Sequence, residues 1–243
     1  MGNWVEDDTS FLFFSAPAEN EIEGVLKAVD GLKLFEKHVF PYEVWQGGSV
    51  EPVWVDDCVI VPPWVCMTPP ESVIKIMIDP GVVFGNCLHP TTRDCLRALS
   101  ICASRSELNR VIDLGTGTGV LAIAAALLGA DKVLGIDLNP LCVRTAQKNV
   151  ELNELTNIRM VAGDAQQFAL EPVELLVANI HHGVIMDILD RNLFPAKMRV
   201  ILSGLMRTQA REVKARLVNA GFNLVREWDN QMIWYTLLAE RRV

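Results

Sequence analysis

The residues with the clearest capacity for chemistry lie in and after the heptapeptide DLGTGTG, residues 113–119. Glycines 115, 117 and 119 stand where a strand-like apolar run gives way to a helical one. There glycine lets the backbone approach a ligand closely and leaves amide N–H groups pointing outward at a helix N-terminus. A dinucleotide fingerprint needs its third glycine at position 120, which is Val120 here, so the spacing is G-x-G-x-G. The preceding acid, Asp113, repels a pyrophosphate and attracts an ammonium group. Asp137 in GIDLNP and Asp164 in VAGDA close the next two strand-like runs. The first can accept both hydroxyls of a ribose, and the second an exocyclic amine of adenine. Any one of these acids could equally cap a helix or start a turn. Together, at successive strand ends where such sheets bind ligands, they suit a cationic adenosyl ligand and not a phosphate.

The elements that must position these residues follow from the hydrophobic periodicity. From about residue 107 apolar runs of strand length alternate with helical segments, the signature of a parallel sheet covered by helices. Strands are expected at 110–115, 132–137, 157–163, 173–180 and 199–204, and helices at 119–129, 140–153, 183–194 and 207–220, the last ending at Gly221. FNLVREWDN and QMIWYTLLAERR then form a hairpin joined through an Asp-Asn pair, which forces one strand antiparallel. The expected fold is a doubly wound α/β domain over 79–243, with a mostly parallel seven-stranded sheet. Residues 1–50 read as a small α+β appendage, with a strand SFLFFSA, a helix from Glu19 to about Val29 and an aromatic stretch FPYEVWQGGS. Residues 51–78, punctuated by two Pro-Pro pairs, read as a β-rich linker or short hairpin.

Composition narrows the partners. The net charge of -8 and the absence of a Lys/Arg cluster argue against nucleic acid, which a protein holds by neutralising phosphates. A basic protein or a neutral small molecule is the easier substrate. The six cysteines have no C-x-x-C spacing, and Cys95 and Cys102, seven apart on one helix face, read as reduced core residues, with no metal site. The longest clean apolar run, VLAIAAALLGA, is too short for the roughly 20 residues a membrane span needs. MGNWVEDD lacks the pattern of a signal peptide, so the expected location is cytoplasmic and away from membranes.

On the segments DLGTGTG, GIDLNP, GDA and VANI, residues 107–240 resemble the class I S-adenosylmethionine-dependent methyltransferases. A narrower resemblance is carried by DPGVVFGNCLHPTTRDCL, EPVWVDDCVIVPPW and VANI, over about residues 51–243. These are similar to the bacterial ribosomal-protein methyltransferase family often called PrmA, whose pattern is D-P-G-x-A-F-G-T-G-T-H-P-T-T followed by C-L. The resemblance implies S-adenosyl-L-methionine as cofactor, with S-adenosyl-L-homocysteine as product, and a protein amine, possibly ribosomal, as methyl acceptor. By position it implies that Phe84, Gly85, His89 and Thr91 line the cofactor pocket, with His89 closing over the adenosyl group. Asn179 then sits beside the transferring methyl and orients the nucleophile. Three departures stand out: Asn86-Cys87-Leu88 in place of T-G-T, His181-His182 in place of Leu-Ala, and an N-terminal region shorter than the family's substrate-recognition domain.

His181 and His182 adjoin the implied transfer position. One of them, His181 being the first choice, could accept the proton an ammonium must lose before attack; both could instead cap the next helix. A small-molecule methyltransferase and a non-catalytic cofactor-binding homologue are the alternatives to a protein N-methyltransferase.

Overall fold

The computed structural model describes residues 2–6, 9–14, 17–39, 51–81, 83, 85, 89–165, 173–191, 194, 195 and 197–242. Phe84, Asn86-Cys87-Leu88 and the stretch FPYEVWQGGS lie outside the described residues. The chain divides into two compact units, Met1–Val50 and Glu51–Val243. In the first, β1 (Gly2–Glu6) pairs antiparallel with β2 (Thr9–Phe13), and α1 (Glu19–Ala28) follows. β1 was not expected, because GNWVE is short and runs directly into acidic residues.

The second unit begins with a three-stranded sheet, β3 (Val53–Val55), β4 (Cys58–Val61) and β5 (Ile74–Met77). The stretch read as a β-rich linker or short hairpin holds the β3–β4 hairpin, with β5 parallel to β4. Then come α2 (Pro90–Arg105), β6 (Arg110–Leu114), α3 (Val120–Leu127), β7 (Lys132–Asp137), α4 (Pro140–Leu152) and β8 (Ile158–Ala162). The second half adds β9 (Leu175–Asn179), α5 (His182–Arg191), β10 (Arg199–Leu205), α6 (Arg207–Asn219), β11 (Phe222–Asn230) and β12 (Trp234–Arg241). The seven-stranded sheet runs β11-β12-β10-β9-β6-β7-β8, and β12 alone is antiparallel to its neighbours. Strand order reverses between β6 and β9, which opens a crevice at their carboxyl ends.

Alternation along each strand builds two apolar layers. Val111, Leu175, Val177 and Ile201 face α2 and α3, whereas Ile112, Leu176, Ala178, Val200 and Leu202 face α5 and α6. Cys95 and Cys102 are both buried in the first layer, as their spacing on α2 requires. Each fully buried aliphatic side chain contributes about 1.5–3 kcal/mol before entropy is charged. That makes the strand ends a rigid platform.

The connection between β11 and β12 differs from expectation. The Asp-Asn pair belongs to β11, and the turn is Gln231-Met232, both left-handed, with φ of 56° and 58°. Register decides this, since Asn230 pairs with Trp234 and Asp229 with Tyr235. The carboxylate of Asp229 accepts from Met232 N–H at 2.6 Å and from the Tyr235 hydroxyl at 3.1 Å, which holds the turn.

Candidate active site

The glycine loop leaves β6 at Leu114 and enters α3 at Val120, with Gly115, Gly117 and Gly119 at φ of 69°, 56° and 84°. A Cβ at Gly115 would overlap Cγ2 of Ile180, so the loop and the end of β9 meet through a position only glycine can fill. The amide groups were expected to point outward; they do not. Gly115 and Thr116 N–H both donate to the Ile136 carbonyl, Gly117 N–H donates to Asp137 Oδ2 at 3.0 Å, and Gly119 N–H donates to the Thr116 carbonyl. The loop spends these donors on the neighbouring strand and on itself. It is a shaped surface and not an anion cradle, which agrees with the acids around it.

Those acids have unequal roles. Asp113 is buried beneath the loop, where its carboxylate accepts from the Thr116 hydroxyl at 2.6 Å and from Ala122 N–H. Burial pushes its pKa up to about 6; the two hydrogen bonds pull it down, and the nearby Asp137 charge adds to the rise. Asp113 thus braces the loop from below. Asp137, at the tip of β7, accepts from Gly117 N–H through Oδ2 and from Asn139 N–H at 2.9 Å through Oδ1. A carboxylate offers about four acceptor positions, so each oxygen keeps capacity for a ribose hydroxyl. Half-buried Asp164 follows Gly163, whose N–H donates to the Asp137 carbonyl at 3.0 Å, so the tips of β7 and β8 are tied together. Leu138 beside them is 75% exposed, an apolar platform suited to a base. Cys142 lies against Asp137; burial first, then that charge, push its thiol up to about 12, which keeps it unreactive.

The segment 79–92 is bolted to this loop. The Thr118 hydroxyl donates to the Gly85 carbonyl at 2.8 Å, and a Cβ at Gly85 would come within 2.6 Å of that hydroxyl. Fully buried Asn149 accepts from Asp79 N–H at 2.9 Å and donates to the carbonyls of Asp79 at 3.0 Å and Thr118 at 2.8 Å. One helical turn on, Asn153 makes the same paired contact with Met77, at 2.8 and 2.7 Å. His89 caps α2, its Nδ1 accepting from Thr91 N–H at 3.4 Å and lying 2.7 Å from the Thr91 hydroxyl. Burial lowers the His89 pKa, which favours the neutral ring that such an acceptor needs. Its ring meets Trp234 edge-on, with centroids 4.9 Å apart. The expectation that His89 and Thr91 face an adenosyl group thus meets a ring and a hydroxyl engaged with the helix cap.

Across the crevice, Asn179 ends β9. Its amide Nδ2 lies 3.5 Å from the hydroxyl of buried Thr92, at the start of α2. His181 is exposed, its Nδ1 accepting from Gly183 N–H at 3.2 Å while its carbonyl receives Val184 and Ile185 N–H. That is helix capping. His182 begins α5 with Nε2 3.2 Å from Glu212 Oε2, on the side of α6. His181 Nδ1 and His182 Nε2 thus each lie against a neighbour other than Asn179.

A family model described as ribosomal protein L11 methyltransferase (PrmA) matches residues 44–242. The chain belongs to that family. A ribosomal protein L11 methyltransferase of Listeria innocua is 37% identical over 198 residues, 79% of this chain and 62% of the relative. One of Heliobacterium modesticaldum is 39% identical over 186 residues, 75% of this chain and 58% of the relative. The chain therefore spans about three-fifths of the length of these curated relatives. The crystal structure of a ribosomal protein L11 methylase from Lactobacillus delbrueckii subsp. bulgaricus superposes with a TM-score of 0.68 at 27% identity, covering 77% of this chain and 95% of that one. A precorrin-6y C5,15-methyltransferase from Geobacter metallireducens, at 12% identity and a TM-score of 0.51, covering 63% of this chain and 90% of that one, shares the fold.

For this member of the ribosomal protein L11 methyltransferase family, the residues that sequence reasoning missed are the supports: Thr118, Asn149, Asn153, Leu138 and Trp234. The asparagines carried one usable signal, a four-residue spacing that puts two amides on one face of α4.

Proposed function

We propose that the chain is an S-adenosyl-L-methionine-dependent methyltransferase that transfers methyl groups to amino groups of a basic protein, with bacterial ribosomal protein L11 the first acceptor to test. The observation that carries this reading is the glycine loop meeting Ile180 through Gly115, which sets Asp137 and Asn179 on opposite sides of one crevice. Relatives named for ribosomal protein L11 supply the acceptor class.

The cofactor, when bound, supplies a methyl group on a sulfonium and leaves as a neutral thioether. Asp137 would take the ribose hydroxyls with its remaining lone pairs, Asp164 the adenine amino group and Leu138 the face of the base. Asp113, ionised above about pH 6, places negative charge under the loop beside the cationic end of the ligand. An in-line displacement needs a neutral amine and correct alignment more than acid–base help. Asn179 would accept an N–H of that amine through its side-chain or backbone carbonyl and so aim its lone pair. With His181 Nδ1 engaged by Gly183, the amine's proton goes to water. The net charge of -8 draws a basic protein toward the site.

Calorimetry with S-adenosyl-L-methionine, followed by transfer of labelled methyl to purified L11 or to a panel of metabolite amines and phenols, tests this. Methyl-lysine or a methylated α-amine on L11 is the expected product. Label on metabolites alone would assign a small-molecule enzyme, and absence of cofactor binding would refute methyl transfer. Asn179→Ala should keep the cofactor Kd and lower kcat about 10²-fold; equal losses in both would count against the role given to Asn179.

A further inference from the structure

β10 contains an irregularity at the site that the reaction scheme above does not use. On β10 the register to β12 steps from Leu202↔Leu237 to Leu205↔Tyr235, three residues against two, so Ser203 and Gly204 together oppose Thr236. This is a β-bulge, and Gly204 takes a left-handed φ of 80°. The bulge is seated by the Ser203 and Thr236 hydroxyls, fully buried and 2.5 Å apart. On its other edge β10 runs parallel to β9, with Ser203 level with Asn179. A Cβ at Gly204 would stand 3.1 Å from the Ile180 carbonyl oxygen and 3.2 Å from Asn179 Oδ1. The first neighbour is backbone and cannot swing aside. The second is the carboxamide oxygen itself.

We infer that Gly204 is a positioning residue for methyl transfer, acting through Asn179: the bulge delivers a residue without a side chain to the spot where a Cβ would press on the carboxamide and shift it by a few tenths of an ångström. This rests on the reading of Asn179 as the group that orients the acceptor amine.

The test uses Gly204→Ala beside Gly221→Ala in the full chain. Gly221 has nearly the same φ, 81°, and no heavy atom within 4 Å of its Cβ position, so it carries the left-handed strain without the collision. Gly204→Ala should lose at least as much thermal stability as Gly221→Ala. With ribosomal protein L11 as acceptor, Gly204→Ala should lower kcat about tenfold to a hundredfold with the cofactor Kd unchanged, and Gly221→Ala should leave kcat near wild type. Added to Asn179→Ala, Gly204→Ala should cost little more. Equal kcat for the two glycine variants, with Asn179→Ala still inactive, overturns the role of Gly204 and leaves the methyltransferase reading standing. The 15N–1H resonances of the Asn179 side-chain amide test the placement without turnover: they should move in Gly204→Ala and not in Gly221→Ala, and unmoved resonances also overturn it. If Gly204→Ala does not fold, Ser203→Ala and Thr236→Val, which unseat the bulge without adding a Cβ, should move the same resonances; no shift in either refutes the inference.

Discussion

Asp113 offers a measurable account of how the glycine loop is held. Its carboxyl group is 1% exposed, and burial raises its pKa from 3.8 to about 6 in spite of hydrogen bonds from Thr116 and Ala122. The gap corresponds to about 3 kcal/mol at 1.36 kcal/mol per tenfold change in proton affinity. The folded chain holds this proton more tightly than the unfolded chain. Its contribution to stability is therefore fully present below pH 3.8 and is lost as pH rises through about 6. Asp113→Asn removes the titration and keeps the shape. Urea unfolding of both proteins from about pH 4 to about pH 8 gives a free-energy difference, wild type minus variant, that should fall by about 2–3 kcal/mol across that window. A difference flat in pH would refute the reasoning, because it would mean that Thr116 and Ala122 outweigh burial and keep the acid in its ordinary range. A cation bound beside Asp113 should drive the proton off. Cofactor binding near pH 6 should then release protons, seen as a calorimetric enthalpy that depends on the buffer's own ionisation heat.

Asn149→Leu strands the part-buried N–H and C=O of Asp79 and the buried Thr118 carbonyl, and should cost about 3 kcal/mol or more in urea unfolding. A loss below about 1 kcal/mol would mean that water replaces the amide. Gly115→Ala sets a methyl against Ile180 at a φ of 69°, and calorimetry should show cofactor affinity reduced at least about tenfold. Gly129→Ala, with open space at its Cβ and a φ of 97°, should leave affinity unchanged and lose only about 1–2 kcal/mol of stability. Replacing Gln231-Met232 by Asn-Gly relieves two left-handed residues in the three-residue loop between Asn230 and Trp234, and should raise stability by about 1 kcal/mol in thermal or urea unfolding; a neutral or negative result would argue that Asp229 already offsets the strain.

The sheet was legible in the sequence because a strand buried on both faces has little choice of residue. RVIDL, KVLGID and LLVAN carry apolar residues at their centres, and their charged or amide side chains fall at the first residue or near the carboxyl end. The departure from a dinucleotide fingerprint was legible too, since Val120 in place of a third glycine and acids at strand tips are local facts. The fate of the loop's N–H groups was not. Whether Gly117 N–H points at solvent or at Asp137 depends on the register of β6 against β7, and nothing within the heptapeptide encodes that. His89 escaped for a similar reason: its partner Trp234 lies far along the chain and reaches it only because β12 runs antiparallel. For His181 the sequence left two roles open, base and helix cap, and Gly183 N–H donating to its Nδ1 favours the cap.

The segment 79–92 joins these supports into one frame. Asn149 and Asn153 are one turn apart on α4, a rise of about 6 Å, while Met77 and Asp79 are two residues apart on an extended chain, about 6.7 Å. The near match lets two side-chain amides dock on the outer edge of β5 as a strand would, filling the edge that β4 leaves open. The same Asn149 amide holds Thr118, whose hydroxyl takes the Gly85 carbonyl, and from there the chain enters α2, where Thr92 lies beside Asn179. The glycine loop and Asn179 are thus reached from one clamp by separate branches. Loosening the clamp must disturb both, so Asn149→Leu should weaken cofactor affinity and turnover together. Changes on the acceptor branch alone, at Asn179 or Gly204, should lower turnover and spare affinity. If Asn149→Leu lowered kcat while leaving the cofactor Kd intact, the loop would be held by β7 alone and the clamp would belong only to the acceptor side.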